Sequence, residues 1–424
     1  MNRREFLQSV AATAGGLALS PQLVKAADKS SSRPPNVLFV LADQWRFSAF
    51  SHETDPLVQT PNMDKLAASG ARFTRMHAAN PVCTPNRSCI LTSRFSHQHG
   101  MTHNDIMLPP KERCLAEAFV DAGYATHYIG KWHMDGEDKP GFVPPGWRRR
   151  GFQSFEGFNR GHYYPKGAQY FTNNGKLVEP EAFESVYQTD LALDFIKKQK
   201  EKPFFCYLSW GPPHTPYRPP KEFDRFSAMA KLQYRPNVPE KLRDAEPLKK
   251  ELAGYYGLCE TLDAQMGRIL RALDDMGVAD NTLLVFSADH GDMHGSHGLF
   301  RKGWPHEESI RIPLLIRHPN LAAGRSNSAI SLVDIPGLTR VWAEGASQFE
   351  DAQQSKISMP SVVGLPHQCD RMWRGVRTHT RKLVLNADGS PWLFFDLTND
   401  PLEQVNRAGD PAMRDEIAAL RTLV

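Results

Sequence analysis

"NVLFVLADQW", residues 36–45, is an unbroken apolar run that stops abruptly at Asp43 and Gln44. A strand with one solvated face alternates apolar and polar residues, whereas a run without alternation belongs to a strand buried on both faces, as in a parallel sheet covered by helices. The polar pair then lies at the strand's carboxyl end. The next segment, "TPNMDKLAASG" (60–70), reads as a helix with Thr60 as N-cap, Pro61 at the first helical position and Gly70 as its stop.

The same unit recurs along the chain. "CLAEAFVDAGYATHYIGKWH" (114–133) predicts a helix ending at Gly123 and a short strand that delivers Lys131 and His133. "KPFFCYLSWGPPHTPY" (202–217) predicts a buried strand leading His214 into a proline-rich loop. From Glu251 to Met276, Leu252, Tyr256, Cys259, Leu262, Met266, Ile269 and Leu273 recur at helical spacing, and Gly277 ends the run. "NTLLVFSADHGD" (281–292) is another buried strand, ending in Asp289 and His290, and "IRIPLLIRHP" (310–319) a further one. Alternating strands and helices predict an α/β domain around a large, mainly parallel or mixed central sheet flanked by helices.

The domain is expected to span residues 33–342. Residues 343–370 lose periodicity and read as a linker or surface excursion. Residues 371–424 read as a smaller C-terminal α+β subdomain, with strands turning at Asp388-Gly389 and a closing helix in "DPAMRDEIAALRTLV".

With 424 residues, 41% hydrophobic and 23% charged, the chain can bury one large domain or two unequal ones. A formal charge of +4 gives no basic stripe, which excludes nucleic acid as the expected partner. Residues 1–26 carry Arg3-Arg4, Phe6-Leu7, a modest apolar run from Val10 to Leu19 and a cleavage-type end at Ala26. That order resembles a twin-arginine export signal, implying the Tat machinery as partner and a periplasmic or secreted bacterial protein. No later segment reads as a membrane span. Six cysteines, Cys83, Cys89, Cys114, Cys206, Cys259 and Cys369, are too scattered for a dense disulfide framework.

In parallel sheets ligands sit at the carboxyl ends of the strands. A single strand-end aspartate commonly caps a loop, but Asp43-Gln44 and Asp289-His290 together supply two carboxylates, an amide oxygen and an imidazole. That set suits a hard divalent cation such as Ca²⁺ or Mg²⁺, and the imidazole admits Mn²⁺ or Zn²⁺. Lys131 and Lys302 would hold an anionic group, and His133 and His214 would move protons, so an anionic ester is the expected substrate. Cys83, in "NPVCTPNRSCILTSR" (80–94), has the look of a thiolate beside Arg87. A thiol nucleophile of the cysteine-peptidase kind is the weaker account, since it needs no built-in cation site.

"CTPNRSCILTSR" resembles the Cys-x-Pro-x-Arg signature of the sulfatase family, in the alkaline-phosphatase-like superfamily. "ADQW" near the N-terminus, "GKWH", "PPHTPY", "SADHGD" and "RKGW" fall in the family's order, and "FFDLTNDPLEQVN" (394–406) is similar to its C-terminal signature. The resemblance implies that a separate formylglycine-generating enzyme oxidises Cys83 to formylglycine, which hydrates to a geminal diol. One hydroxyl attacks sulfur and expels the alcohol. The second, once deprotonated, drives collapse of the sulfated hemiacetal and release of sulfate.

By motif, Asp43, Gln44, Asp289 and His290 hold the cation with the modified Cys83. Arg87 orients the diol, Lys131 binds diol and sulfate, His133 is the base of the collapse step, His214 protonates the leaving alcohol and Lys302 clamps sulfate. Gln44 replaces the second Asp of many members and His290 their Asn; Asn86 and Ser93 replace Ser and Gly outside the Cys-Pro-Arg triplet. Twin-arginine export would place the modification in the cytoplasm. A sulfated carbohydrate is the expected substrate, with "GWRRRGFQSFEGFNRGHYYPKGAQY" (146–170) read either as a glycan subsite or as an ordinary core-plus-loop insertion. The alternatives are a phosphodiesterase or phosphonate monoester hydrolase using the same nucleophile, and an inactive sulfated-glycan binder.

Overall fold

The computed structural model describes residues 33–343 and 352–424, apart from positions 56, 163, 165, 166, 244, 319 and 320. The expected export segment, 1–26, lies outside the described residues.

Ten strands form the main sheet among the described residues: β1 (Asn36–Asp43), β2 (Ala71–His77), β3 (Ala125–Lys131), β4 (Ser154–Phe158), β5 (Tyr170–Phe171), β6 (Leu177–Val178), β7 (Phe204–Pro213), β8 (Thr282–Ala288), β9 (Arg311–Arg317) and β10 (Gly324–Ser331). Their order is β10-β2-β9-β8-β1-β7-β3-β4-β5-β6. The sheet is mixed, as its sequence pattern implied. β1 lies between β7 and β8, parallel to both, and every one of its residues is buried. β9 alone in the centre runs backwards, antiparallel to β8 and β2. Antiparallel neighbours need no crossover helix. The chain between β8 and β9 therefore stays at the carboxyl edge, carrying Asp289, His290, Asp292 and Lys302.

The helices include α1 (Pro61–Ser69), α2 (Cys83–Thr92), α3 (Leu115–Asp121), α4 (Glu184–Gln199) and α5 (Glu246–Asp275). α5 starts five residues before the expected Glu251, because Pro247 falls in the first helical turn, where its missing N–H costs nothing. Its periodic residues, from Leu252 to Leu273, are all buried.

One local expectation for α1 needs correction. Thr60 makes no capping hydrogen bond; the free N–H groups of Asn62 and Met63 donate instead to Oδ1 of Asp263 on α5, at 3.0 and 2.7 Å. Gly70 ends the helix as expected; its backbone is extended, and glycine is required there because a Cβ would lie 2.1 Å from the carbonyl oxygen of Ile316.

A second sheet, β11 (Gln354–Met359), β12 (Trp373–Thr378), β13 (Arg381–Asn386) and β14 (Pro391–Asp396), is an antiparallel meander. β11 falls within the 343–370 stretch expected to be linker or surface excursion. It escaped notice because its inward positions are Ser355, Ile357 and Met359, so apolar alternation extends over only two residues. The closing helix, Arg414–Arg421, packs Ile417 and Leu420 on one face of this sheet. The other face, with Ile357, Met359, Trp373, Val384 and Phe395, shares a core with Val82 and Ile310 of the large domain. Among the described residues no helix is long and apolar enough to cross a membrane.

Candidate active site

The spacing of the Cys-x-Pro-x-Arg stretch becomes physical in α2. Val82 is extended, Cys83 is the first helical residue and Pro85 the third, inside the turn whose N–H groups have no intrahelical partner. Arg87 follows Cys83 by four residues, so both project from one face. Among other bonds, the Arg87 guanidinium donates from Nε to Asp289 Oδ2 (3.0 Å), from Nη2 to Asp43 Oδ2 (3.2 Å) and from Nη1 to Ser209 Oγ (2.7 Å). One side chain, 1% exposed, thus ties the ends of β1, β7 and β8 together. Burial opposes its charge, but the carboxylates of Asp289 and Asp43 raise its pKa further above the ordinary value.

The Cys83 sulfur is buried at the focus of this arrangement. Sγ lies 2.8 Å from Lys302 Nζ, 3.2 Å from His290 Nε2 and 3.8 Å from Asp43 Oδ1. Burial disfavours a thiolate, yet Lys131, Lys302 and His290 pull the thiol well below its usual range. Cys206 and Cys114, buried away from such a cluster of cations, are instead pushed up by burial. All six cysteines are free and buried.

Asp43 receives Lys131 Nζ at 2.5 Å. Against burial and the Cys83 charge, Lys131, His214 and Arg87 hold its carboxyl well below the usual carboxylate range. The donor atoms of Asp43, Cys83, Asp289 and His290 all lie within 4.8 Å of one another. His290 turns Nδ1 to the carbonyl of Gly291, leaving Nε2 toward the focus. Gln44 sits at φ +71°, with Nε2 engaged by Asp292 and Tyr217 and Oε1 3.3 Å from Lys302 Nζ. Two carboxylates, an amide oxygen and an imidazole on one focus fit a divalent cation.

The proton-carrying candidates flank the sulfur. His133, at φ +58°, places Nε2 2.8 Å from Asp105 Oδ1, while its Nδ1 is buried with no hydrogen-bond partner among the described residues. His214 directs Nδ1 at the carbonyl of Thr215 and lies with Nε2 2.9 Å from Lys302 Nζ. Burial first, then Lys302, lower its pKa, so the ring is neutral at pH 7. The sequence-derived set, Asp43, Gln44, Cys83, Arg87, Lys131, His133, His214, Asp289, His290 and Lys302, is brought together at one sheet edge.

Sequence reasoning missed several neighbours. His162 stacks face to face on His214, with ring centroids 3.7 Å apart, and points Nε2 at Lys131 Nζ (3.2 Å). It lies in the 146–170 stretch, but no spacing singled it out. Asp105 had no motif around it. Ser209 had a visible signal: a lone serine within the apolar and aromatic run "FFCYLSW". Within residues 146–170, Arg149 and Arg150 are buried on backbone carbonyls of Val143 and Leu108, and Phe152, Phe155 and Phe158 are core.

A second potential donor group, His297, Glu308 and Glu403, also converges within 4.8 Å. There Arg235 already pairs with Glu308 at 3.1 Å, and the buried Lys382 with Glu403, so cations of the chain neutralise it. It fastens the two sheets together.

Residues 35–337 match the sulfatase family. The chain is 33% identical over 404 residues to an ulvan-active sulfatase of Formosa agariphila, covering 89% of this chain and 78% of that protein. It is 26% identical to an N-acetylglucosamine-6-O-sulfatase of Bacteroides thetaiotaomicron, over 90% of this chain and 84% of that one. Among solved structures, a putative sulfatase from Bacteroides fragilis superposes with a TM-score of 0.82 at 25% identity, covering 93% of this chain and 95% of that one. Motif order, sheet topology and the match over residues 35–337 agree: the chain belongs to the sulfatase family, enzymes that hydrolyse sulfate esters.

Proposed function

We propose that this protein is an exported bacterial sulfatase that removes sulfate from a carbohydrate, using a formylglycine made from Cys83. The observation that carries the reading is the position of Cys83: a single buried side chain on a helix's first turn, held between Lys302, His290 and Asp43, with Arg87 one turn behind it. The sulfur stands where an oxygen of the hydrated aldehyde would stand. Carbohydrate as substrate is supported by the relatives named for ulvan and for N-acetylglucosamine 6-sulfate. Export is supported by the Arg-Arg-x-Phe-Leu order at residues 3–7.

Asp43, Gln44, Asp289 and His290 suit a divalent cation, Ca²⁺ ahead of Mg²⁺ or Mn²⁺ on oxygen content, which supplies fixed positive charge beside the reacting oxygens. Arg87, locked by its carboxylate partners, holds the diol. Lys131 and Lys302 take the sulfate oxygens, so charge developing at sulfur meets preformed cations in a buried site. His214 Nε2 protonates the departing alcohol, drawing on the Lys302 ammonium 2.9 Å away. His133 Nδ1, the unpartnered atom, takes the proton of the second hydroxyl, while Asp105 holds Nε2–H and stabilises the imidazolium.

Two measurements test this. Peptide mass across Cys83 in active enzyme should show conversion of thiol to aldehyde. Sulfate release is then assayed on an aryl sulfate and a panel of sulfated saccharides, beside phosphate monoesters, diesters and phosphonates. A persistent free thiol in active protein, or faster turnover of the phosphorus esters, would overturn the proposal.

A further inference from the structure

Two of the motifs end in residues that the reading above leaves without a role: Tyr217 closes "PPHTPY" and Asp292 closes "SADHGD". Both converge on the side-chain amide of Gln44. Gln44 Nε2 donates to Asp292 Oδ2 at 2.6 Å and to Tyr217 OH at 3.0 Å, and Tyr217 OH itself donates to Asp292 Oδ2 at 2.6 Å. Arg301 Nη1, held by Glu251, approaches the Tyr217 hydroxyl from behind at 3.2 Å. Asp292 Oδ1 accepts from the backbone N–H of His294 at 3.0 Å. Gln44, Asp292 and His294 are buried, and the Gln44 backbone is fixed by its N–H to Asp289 Oδ1 (3.0 Å) and by Tyr255 OH to its carbonyl (3.1 Å).

An amide has a donor end and an acceptor end of nearly identical shape, and only its partners decide which faces which way. A carboxylate can only accept. Asp292 therefore claims the NH₂ of Gln44 and leaves Oε1, the end able to ligate, on the opposite side, 3.3 Å from the Lys302 Nζ that also touches Cys83 Sγ of the cluster. A reversed amide would set two oxygens against each other at Asp292 and aim NH₂ at a cation.

We infer that Asp292, with Tyr217, is a positioning pair that fixes the Gln44 amide oxygen-inward and so builds divalent-cation affinity into a site whose contact layer has an amide in place of a carboxylate. The formal negative charge stays one bond further out, on Asp292, and polarises the amide toward the cation. The inference rests on the reading of this cluster as a cation site.

Its test is calcium titration of the chelator-stripped mature protein by calorimetry, with circular dichroism checking the fold of each variant. Wild type, Asp292→Ala, Gln44→Ala and the double variant are compared. Asp292→Ala should weaken Ca²⁺ binding by about tenfold or more, the range typical of outer-layer metal partners, and should add nothing in the Gln44→Ala background. Asp292→Asn, which keeps the shape and still offers an acceptor, should lose only a few-fold and only when Gln44 is present. Equal losses in both backgrounds, or no loss in Asp292→Ala, overturn the positioning role while leaving the cation site standing. Absence of saturable uptake by wild type, with Mg²⁺ and Mn²⁺ also tried, overturns the cation reading and this inference with it.

Discussion

At the scale of single residues, the site works by assigning each polar atom one orientation. His133 shows this: Asp105 engages Nε2, so under the proposed mechanism the buried Nδ1 is the atom that serves as base. Asp105 sits beyond the imidazole and also pairs with Arg160 at 2.8 Å. Replacing Asp105 with Asn keeps the size but admits the wrong tautomer of His133. The expected outcome is a fall in kcat of roughly a hundredfold, the usual scale for losing a general base. KM should change little. Steady-state kinetics on an aryl sulfate across pH check it; a matching rise in KM with unchanged kcat would assign Asp105 to substrate binding instead. None of this was legible in the sequence, where Asp105 is an isolated loop aspartate 28 residues from its partner.

Elements were easier to read than their ends. The apolar runs of β1, β7 and β8 announced buried strands, and α5 announced itself by period, because both patterns are local consequences of which face is buried. Caps were misread because a helix end can be satisfied from anywhere. The α1 N-terminus borrows Asp263 from α5, 200 positions away in sequence from Met63. Burial raises that carboxyl to about 6, even with two backbone donors aimed at it. Asp263→Ala should leave the first turn of α1 uncapped and cost about 1–2 kcal/mol. Urea denaturation should show a lower midpoint with an unchanged m-value; an unchanged midpoint would mean water replaces the carboxylate at no cost.

At the scale of the whole molecule, the second sheet completes the first. Trp373 on β12 is 2% exposed and donates Nε1–H to the carbonyl of Gly303 at 2.9 Å, directly behind Lys302. The small sheet therefore buttresses the loop that carries a site cation. Trp373→Ala should cost about 3–5 kcal/mol and reduce turnover further by loosening Lys302, measured as thermal melting and kcat together.

The buried charges between the sheets add a pH signature. Glu308, against burial, is held at about 2 by Arg235 and His297, so its contribution is full above about 4.5 and is lost as pH falls toward 2. His306 is driven by burial to about 3, so it too favours folding progressively less below 6.5. Glu403, raised to about 7 by burial, acts in the opposite sense between 4.5 and 7, where only the folded state keeps its proton. His306 and Glu403 therefore offset each other down to about pH 4.5. Below that, stability should drop, and Glu308→Gln should flatten the drop by about 1.4 kcal/mol per pH unit, the linkage of one proton. Melting curves of both proteins from pH 3 to 7 check it.

By itself, the sequence determined the buried strands, the long helix, and the strand-end residues that meet at one edge, because local burial writes a period and a parallel sheet delivers its strand ends to one side. It also carried the family, in the order of short motifs. Only the tertiary structure decided which polar atoms face which: the orientation of the Gln44 amide, the free nitrogen of His133, the His162 stack on His214, the cap of α1 and the placing of β11. Those depend on partners tens or hundreds of residues distant, and a contact made across the fold leaves no pattern in the chain on either side of it.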